Sequence, residues 1–186
     1  MSQGVEIPSY EIVVASSKEE QQQCYEVRVN VFHYEQKFPL ECELDDKEDI
    51  STHILLRLTP SMEPIGTIRG YLVPGRTDTY KLTRLAVTKE YRKYGFGRKL
   101  VEALHQWIRS HVTQSNALST ALETAPPNTQ TLSKTMPPPN LIKVISHSQI
   151  YAKGFYAKFG YIEEGEEFME DGDPHQKMVL HIPITD

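Results

Sequence analysis

Apolar positions divide the chain into short runs typical of strands and longer segments with helical periodicity. The most regular example is an apolar run over residues 82–87, a glycine-containing turn over residues 91–97 and a periodic segment after it. In that segment Leu100, Val101, Leu104, Trp107 and Ile108 recur three and four residues apart, which places them on one helical face. The pattern predicts a buried strand, a tight turn and an amphipathic helix that ends near Val112.

The same criteria predict the remaining elements. A strand is expected at residues 11–15, and Ser17 with Glu20 forms a capping-box signal for a helix that continues through Phe32. Its inward-facing residues are expected to be Cys24, Val27, Val31 and Tyr34. Further strands are predicted at residues 53–58, 65–73, 80–87, 141–145 and 177–183, with another from Tyr161 and an acidic hairpin region at 163–173. A second helix is predicted at residues 149–159, with Ile150, Phe155 and Phe159 inward and Gly160 as its end.

Two segments lack a clear periodicity. Residues 33–51 are polar and acidic, and they predict a loop with at most a short helix. Residues 113–140 are rich in Ser, Thr and Pro, and a loop of that length is unusual inside a domain. We therefore predict a mobile surface insertion there, on an otherwise single domain that spans residues 1–186.

Composition limits the classes of function. With 39% hydrophobic and 24% charged residues and a net charge of −5, the chain resembles an ordinary globular protein with no overall attraction for nucleic acid. No apolar run approaches the length of a membrane span, and the first residues lack the basic-then-apolar pattern typical of a signal peptide. Cys24 and Cys42 show no metal-type spacing, so no metal is predicted, and we expect a cytoplasmic protein, with the nucleus as the alternative.

The turn between the central strand and helix has the chemistry of an anion site. Its residues are Arg92, Lys93, Tyr94, Gly95, Phe96, Gly97, Arg98 and Lys99. Glycines allow a close approach to the backbone, and amide groups at a helix start favour negative charge. The turn lacks the Gly-Lys-Ser/Thr of a Walker A loop, and Leu100 stands where a dinucleotide fingerprint needs its third glycine. A different phosphorylated ligand is therefore expected.

The Arg-x-x-Gly-x-Gly pattern from Arg92 to Gly97 resembles the pyrophosphate loop of the GCN5-related N-acetyltransferases (GNAT), which bind acetyl-CoA. Residues 148–161 are similar to the closing signature of that family. Residues 28–36 and 165–175, with Pro39, Glu43, Asp45, His53 and Met178, resemble its ElaA/YjcF-type branch. Asp173 stands where the branch has an aliphatic residue, and the insertion at 113–140 replaces a short connection. The resemblance implies a mixed α/β (α+β) acyl-CoA N-acyltransferase fold with a largely antiparallel central sheet flanked by helices.

The resemblance also implies roles for individual residues. The backbone of Leu85, Ala86 and Val87 is expected to bind pantetheine, together with the whole turn from Arg92 to Lys99. Tyr156 is expected near the cofactor sulfur as the acid that protonates the leaving thiolate, although packing beneath the cofactor is the alternative. Candidates for the base are Glu35, His53 and His175; a loop-bonded or ion-paired carboxylate and two structural histidines are the alternatives.

The expected reaction is direct transfer of an acetyl group from acetyl-CoA to a primary amine in a ternary complex. The acceptor stays open between a small-molecule amine, an amino sugar phosphate and a protein amine. A non-catalytic acyl-CoA-binding or interaction module with the same fold is the alternative function. A homodimer through a sheet edge is compatible with such a fold, and no membrane or nucleic-acid partner is expected.

Overall fold

One eight-stranded sheet organises the computed structural model, which describes residues 6–123 and 141–184. The strands are β1 Tyr10–Val14, β2 Thr52–Leu58, β3 Pro64–Leu72, β4 Thr79–Val87, β5 Leu141–Gln149, β6 Ile162–Glu163, β7 Phe168–Glu170 and β8 Asp173–Pro183. Their order is β1-β2-β3-β4-β5-β8-β6, with β7 also paired to β8. Every pairing is antiparallel except that of β4 with β5. The expected mixed, largely antiparallel sheet is confirmed.

In the part of the chain that the structure describes, three α-helices accompany the sheet: α1 Lys18–Arg28, α2 Phe96–Glu123 and α3 Lys153–Ala157. The predicted capping box is present at α1, where Ser17 Oγ accepts from the Glu20 N–H at 3.1 Å and Glu20 Oε2 accepts from the Ser17 N–H at 3.1 Å. The chain then continues as a π-helix over Val29–Glu35. Cys24, Val27 and Val31 are buried as predicted, but Tyr34 is 63% exposed because the wider π turn changes the helical phase.

Helix α2 is longer than the sequence pattern predicted. It continues to Glu123, so the expectation of a loop from residue 113 was wrong for residues 113–123. The hydroxyls of Thr113 and Ser115 donate to carbonyl oxygens four residues earlier and are thereby accommodated in the helix, and the first proline after it is Pro126. The rest of the predicted insertion, residues 124–140, lies outside the described residues.

The segment after β5 also differs from the prediction. Strand β5 extends four residues further than expected, to Gln149, and the helix predicted at residues 149–159 is divided into a 3₁₀ turn, Ile150–Ala152, and the short α3. The reason is pairing, because all nine residues of β5 are in register with β8. Two other 3₁₀ turns, Leu40–Cys42 and Glu48–Ile50, lie in the polar segment that was predicted to be mostly loop.

Helix α2 packs closely on one face of the sheet. Leu100, Leu104 and Ile108 are fully buried against strand residues such as Ile68 and Tyr80. Gly70 on β3 makes this approach possible, because a Cβ atom built there would lie 2.6 Å from Leu104 Cδ1. Within the described ranges, no helix combines the length and apolar character needed to cross a bilayer.

The sheet opens between its two central strands. The parallel pairing of β4 with β5 covers only four positions, from Thr79 opposite Lys143 to Leu82 opposite Ser146. Beyond that point β4 carries an irregularity in its register with β3, and Arg84 has a positive φ of 53°. The end of β4 therefore leaves β5, and the gap between them contains the candidate site.

Candidate active site

Two adjoining cavities occupy the gap between β4 and β5. The larger, here called the turn cavity, has a volume of about 610 Å³ and lies beside the glycine turn. The smaller, the hairpin cavity, has a volume of about 200 Å³ and lies beside the β7–β8 hairpin. The residues that line both are Gln36, Leu85, Tyr151, Ala152 and Phe155. A ligand in one cavity therefore adjoins a ligand in the other.

The glycine turn, residues 91–97, borders the turn cavity. Gly95 ends a 3₁₀ turn, Lys89–Tyr94, with a left-handed φ of 73°, and α2 begins at the next residue. The first hydrogen bonds of the helix are donated by the N–H groups of Arg98 and Lys99 to Gly95 O. The amides before them are the ones that a helix does not satisfy itself, so this end of α2 suits an anion.

The cofactor residues predicted from the sequence divide into two groups. Those that line the turn cavity are Leu85, Ala86, Val87, Arg92, Gly95, Gly97 and Arg98. Lys93, Tyr94, Phe96 and Lys99 do not line it, and the Phe96 ring is fully buried with its centroid 4.9 Å from that of Tyr10. Tyr156 lines the hairpin cavity instead. Lys158, which also lines the turn cavity, was not predicted as a cofactor residue.

Glu35 is engaged by the turn itself. Its two carboxylate oxygens accept from Arg92 Nη1 and Nη2, each at 2.7 Å, while Arg92 Nε donates to Val87 O at 2.9 Å. Hydrogen bonding from Arg92 lowers the pKa of Glu35. Glu35 lines neither cavity. Its role as the base stays a prediction, and the geometry favours the alternative of an ion-paired carboxylate that orients Arg92.

Tyr156, the predicted acid, is buried and lines the hairpin cavity. Burial raises the pKa of its phenol, an effect that the neighbouring Ser146 hydroxyl partly opposes. The side chain therefore keeps its proton at neutral pH, as a proton donor must. Phe155, its neighbour in the chain, contacts both cavities, with ring centroids of the two side chains 5.3 Å apart.

The two predicted histidines have different surroundings. His175 lines the hairpin cavity, is 8% exposed, and its Nδ1 lies 2.9 Å from the carbonyl oxygen of Asp173. His53 is 6% exposed on β2, lines neither cavity, and its Nε2 lies 3.2 Å from Glu48 Oε2. The structure thus brings His175 to the same cavity as Tyr156, whereas the role of His53 as a base stays a prediction without support from its position.

A buried ionic cluster surrounds His53, and the sequence did not predict it. Arg28 and Arg69, 1% and 2% exposed, bind the carboxylates of the loop between α1 and β2. The ion pairs are Arg28 with Glu43 and Glu48, Arg69 with Asp45 and Glu48, and Arg84 with Glu43 and Asp45. The cluster connects that loop to β3 and β4, and Glu43 and Arg84 also line the hairpin cavity.

The carboxylates of this cluster titrate differently. Burial opposes the ionisation of Asp45 and Glu48. A hydrogen bond and the charge of Arg69 nevertheless lower the pKa of Asp45 to about 2. A hydrogen bond from His53 and the charges of Arg28 and Arg69 lower the pKa of Glu48 to about 2. Burial dominates at Glu43 and raises its pKa, despite Arg84 and Arg28. Asp45 and Glu48, two of the three carboxylates in the cluster, therefore stay ionised well below neutral pH.

A second polar group in the hairpin cavity was also not predicted. Lys81, His147 and Glu170 come from β4, β5 and β7 and all line the cavity. His147 Nδ1 lies 2.8 Å from Glu170 Oε2 and 3.1 Å from Lys81 Nζ. The predicted strand ended at Ile145, which left His147 in an unassigned segment, and no local pattern connects it to Lys81 66 residues away.

Known proteins resemble the chain over most of its length. A family model described as the acetyltransferase (GNAT) family matches residues 15–133, and one described as a GNAT acetyltransferase domain matches residues 130–182. The uncharacterized N-acetyltransferase YjcF of Bacillus subtilis is 27% identical over 168 residues, which are 90% of this chain and 96% of the relative.

Solved structures share the fold. An acyl-CoA N-acyltransferase from Pseudomonas aeruginosa superposes with a TM-score of 0.62 at 18% identity, covering 92% of this chain and 97% of that one. Escherichia coli ElaA superposes with a TM-score of 0.58 at 21% identity and the same coverage. With the family model matched from residue 15 to residue 133, the chain belongs to the GNAT family of acetyltransferases.

Proposed function

We propose that the protein transfers an acetyl group from acetyl-CoA directly to a primary amine. Membership of the GNAT family supports acetyl transfer in general and the use of an acyl-CoA. The observation that carries the proposal is the position of the glycine turn, whose left-handed Gly95 and unsatisfied helix amides border a cavity of about 610 Å³. That cavity adjoins the one that contains Tyr156.

The turn cavity is the proposed cofactor site. The amides at the start of α2, with Arg98 and Lys158, bind the diphosphate, because they combine a helix N-terminus with positive side chains. The pantetheine follows the backbone of Leu85, Ala86 and Val87, where β4 has left β5. The N–H of Val87 is the proposed donor to the thioester carbonyl, whose oxygen gains negative charge during attack.

The hairpin cavity is the proposed acceptor site. Tyr156 protonates the thiolate of coenzyme A as it leaves, because its buried phenol is protonated at neutral pH. A covalent acetyl-cysteine is disfavoured. Burial raises the pKa of Cys24 to about 11, and desolvation also raises that of Cys42, so neither thiol is poised as a thiolate. Of the three bases predicted from the sequence, His175 alone lines this cavity.

The direct test combines calorimetry with coenzyme A and an assay of free-thiol release from acetyl-CoA. The amine panel contains an alkylamine, a polyamine, a lysine peptide and glucosamine 6-phosphate. We expect binding of coenzyme A and amine-dependent thiol release. Binding without release across the panel would favour the acyl-CoA sensor, and the absence of both would exclude the proposal.

Tyr156→Phe tests the proposed acid. We expect about a 10²- to 10⁴-fold fall in kcat with little change in affinity for coenzyme A, since only the proton donor is removed. Tyr34→Phe is the matched control with wild-type turnover, because Tyr34 is 63% exposed and lines neither cavity. Equal turnover of wild type and Tyr156→Phe would remove Tyr156 from the mechanism.

A further inference from the structure

The hairpin cavity contains a histidine that is bound to a carboxylate. The His147 side chain is 26% exposed, and its Nδ1 lies 2.8 Å from Glu170 Oε2. Hydrogen bonding to His147 lowers the pKa of Glu170, so this carboxylate is ionised at neutral pH and can only accept. We assign the hydrogen to Nδ1 because Glu170 Oε2 lies closer to that nitrogen, at 2.8 Å, than Lys81 Nζ does, at 3.1 Å. The lone pair of the neutral ring is then on Nε2.

Neighbouring groups fix this arrangement. Lys81 Nζ lies 3.8 Å from Glu170 Oε1, so the carboxylate is held between a lysine and a histidine. The Phe168 ring packs edge-on against the imidazole with centroids 4.8 Å apart. Three strands thus determine the position of one ring, as expected for a preorganised proton acceptor.

We propose that His147 takes the proton from the acceptor ammonium in the hairpin cavity, with Glu170 as the residue that positions its imidazole. This inference rests on the proposed acetyl transfer and names the base that such a transfer needs. The carboxylate stabilises the imidazolium that forms, in the way that an aspartate does in hydrolase triads.

Each proton that moves in the proposed reaction has a donor and an acceptor. His147 Nε2 takes one proton from the ammonium and later releases it to water. The free amine attacks the thioester carbon, a C–N bond forms and the C–S bond breaks with its electron pair on sulfur. Tyr156 protonates that sulfur and regains a proton from the acetylated nitrogen, directly or through water. The products are the amide, coenzyme A and one proton.

His147 suits this role better than the histidine predicted from the sequence. His175 is 8% exposed and its Nδ1 faces a neutral carbonyl, so a positive charge on its ring would be buried without a counter-ion at that nitrogen. Glu35 is ion-paired with Arg92, His53 Nε2 lies 3.2 Å from Glu48 Oε2, and neither residue lines a cavity.

The test is a set of glutamine variants assayed with the alkylamine of the panel and its β-trifluorinated analogue, whose amino group is unprotonated at neutral pH. We expect His147→Gln to lose about 10²- to 10⁴-fold in kcat/KM for the alkylamine. For the analogue the loss is less than about tenfold, because no ammonium proton has to be removed. Affinity for coenzyme A by calorimetry stays unchanged. His181→Gln, an exposed histidine on β8, is the matched control with wild-type activity.

The pH profile provides a second readout. The activity of His147→Gln should rise about tenfold per pH unit and approach that of wild type near the pKa of the amine, about 10. The charged and titratable groups that face His147 are Lys81 on β4, Glu170 on β7, and Lys177 and His175 on β8. Glu170→Gln, at a more exposed position, should show a smaller loss with the same dependence on the amine.

The outcomes separate this inference from the proposed function. His147 is not the base if His147→Gln keeps wild-type activity. The same holds if circular dichroism shows the variant folded and its kcat/KM falls equally for the alkylamine and the analogue. Acetyl transfer still stands in both cases. Should that variant fail to fold, an undiminished kcat/KM of Glu170→Gln for the alkylamine would refute the inference. A wild type without coenzyme A affinity or thiol release would refute both.

Discussion

Gly95 is the single residue on which the proposed cofactor site depends most directly. Its φ of 73° is disfavoured for any residue with a Cβ, and in the protein nothing lies within 4 Å of the place where that Cβ would be. Gly95 also lines the turn cavity. A methyl group there would meet no protein atom, and in the proposed site we expect it to meet the ligand.

We therefore expect Gly95→Ala to cost about 1–2 kcal/mol of stability and to weaken coenzyme A binding at least about tenfold. Gly75→Ala is the matched control, because Gly75 has a φ of 78° with nothing within 4 Å and lies outside both cavities. It should have the same cost in thermal unfolding with unchanged affinity in calorimetry. Equal affinities of the two variants would argue against the turn as the diphosphate site.

Local patterns accounted for most elements because each depends on a nearby physical cause. The capping box at Ser17 and the apolar face of α2 were readable, since residues three or four apart determine both. The end of β5 was not, because its pairing with β8 decides it. The same limit applies to the site: the turn from Arg92 to Gly97 is local, whereas His147 and Lys81 meet only through the sheet.

The contact of α2 with β3 predicts a packing defect. Gly70→Ala would place Cβ within 3.4 Å of three atoms of Leu104, which is fully buried, so we expect a loss of about 1–3 kcal/mol in urea unfolding. Gly154→Ala is the control, since its Cβ meets nothing within 4 Å and its helical position tolerates alanine. If Gly70→Ala were as stable as that control, α2 would have to sit further from the sheet than described.

Because of the buried ionic cluster, the free energy of unfolding of the whole protein depends on pH in the acid range. The pKa values of Asp45 and Glu48 are depressed to about 2, so their stabilisation is complete above the unfolded values near 4 and is lost as the pH falls toward 2. Each contributes roughly 2–3 kcal/mol over that window, because one pKa unit corresponds to about 1.4 kcal/mol.

Glu48→Gln should therefore lower the thermal midpoint at pH 7 and flatten its decline between about pH 5 and 2. Glu102→Gln, which removes an exposed helical ion pair with Arg98, is the comparison and should follow the wild-type profile. A wild-type decline that Glu48→Gln leaves unaltered would assign acid sensitivity to other carboxylates.

The parallel pairing of β4 with β5 over four positions joins two halves of the described sheet, each of which has four strands. Beyond these four positions, the backbone of β4 faces the gap instead of a neighbouring strand. The pantetheine of the proposed cofactor is elongated and carries amide groups, so it would pair with this backbone as an added strand does and connect the two halves. If coenzyme A binds as proposed, we therefore expect the bound protein to unfold at a higher temperature than the free protein.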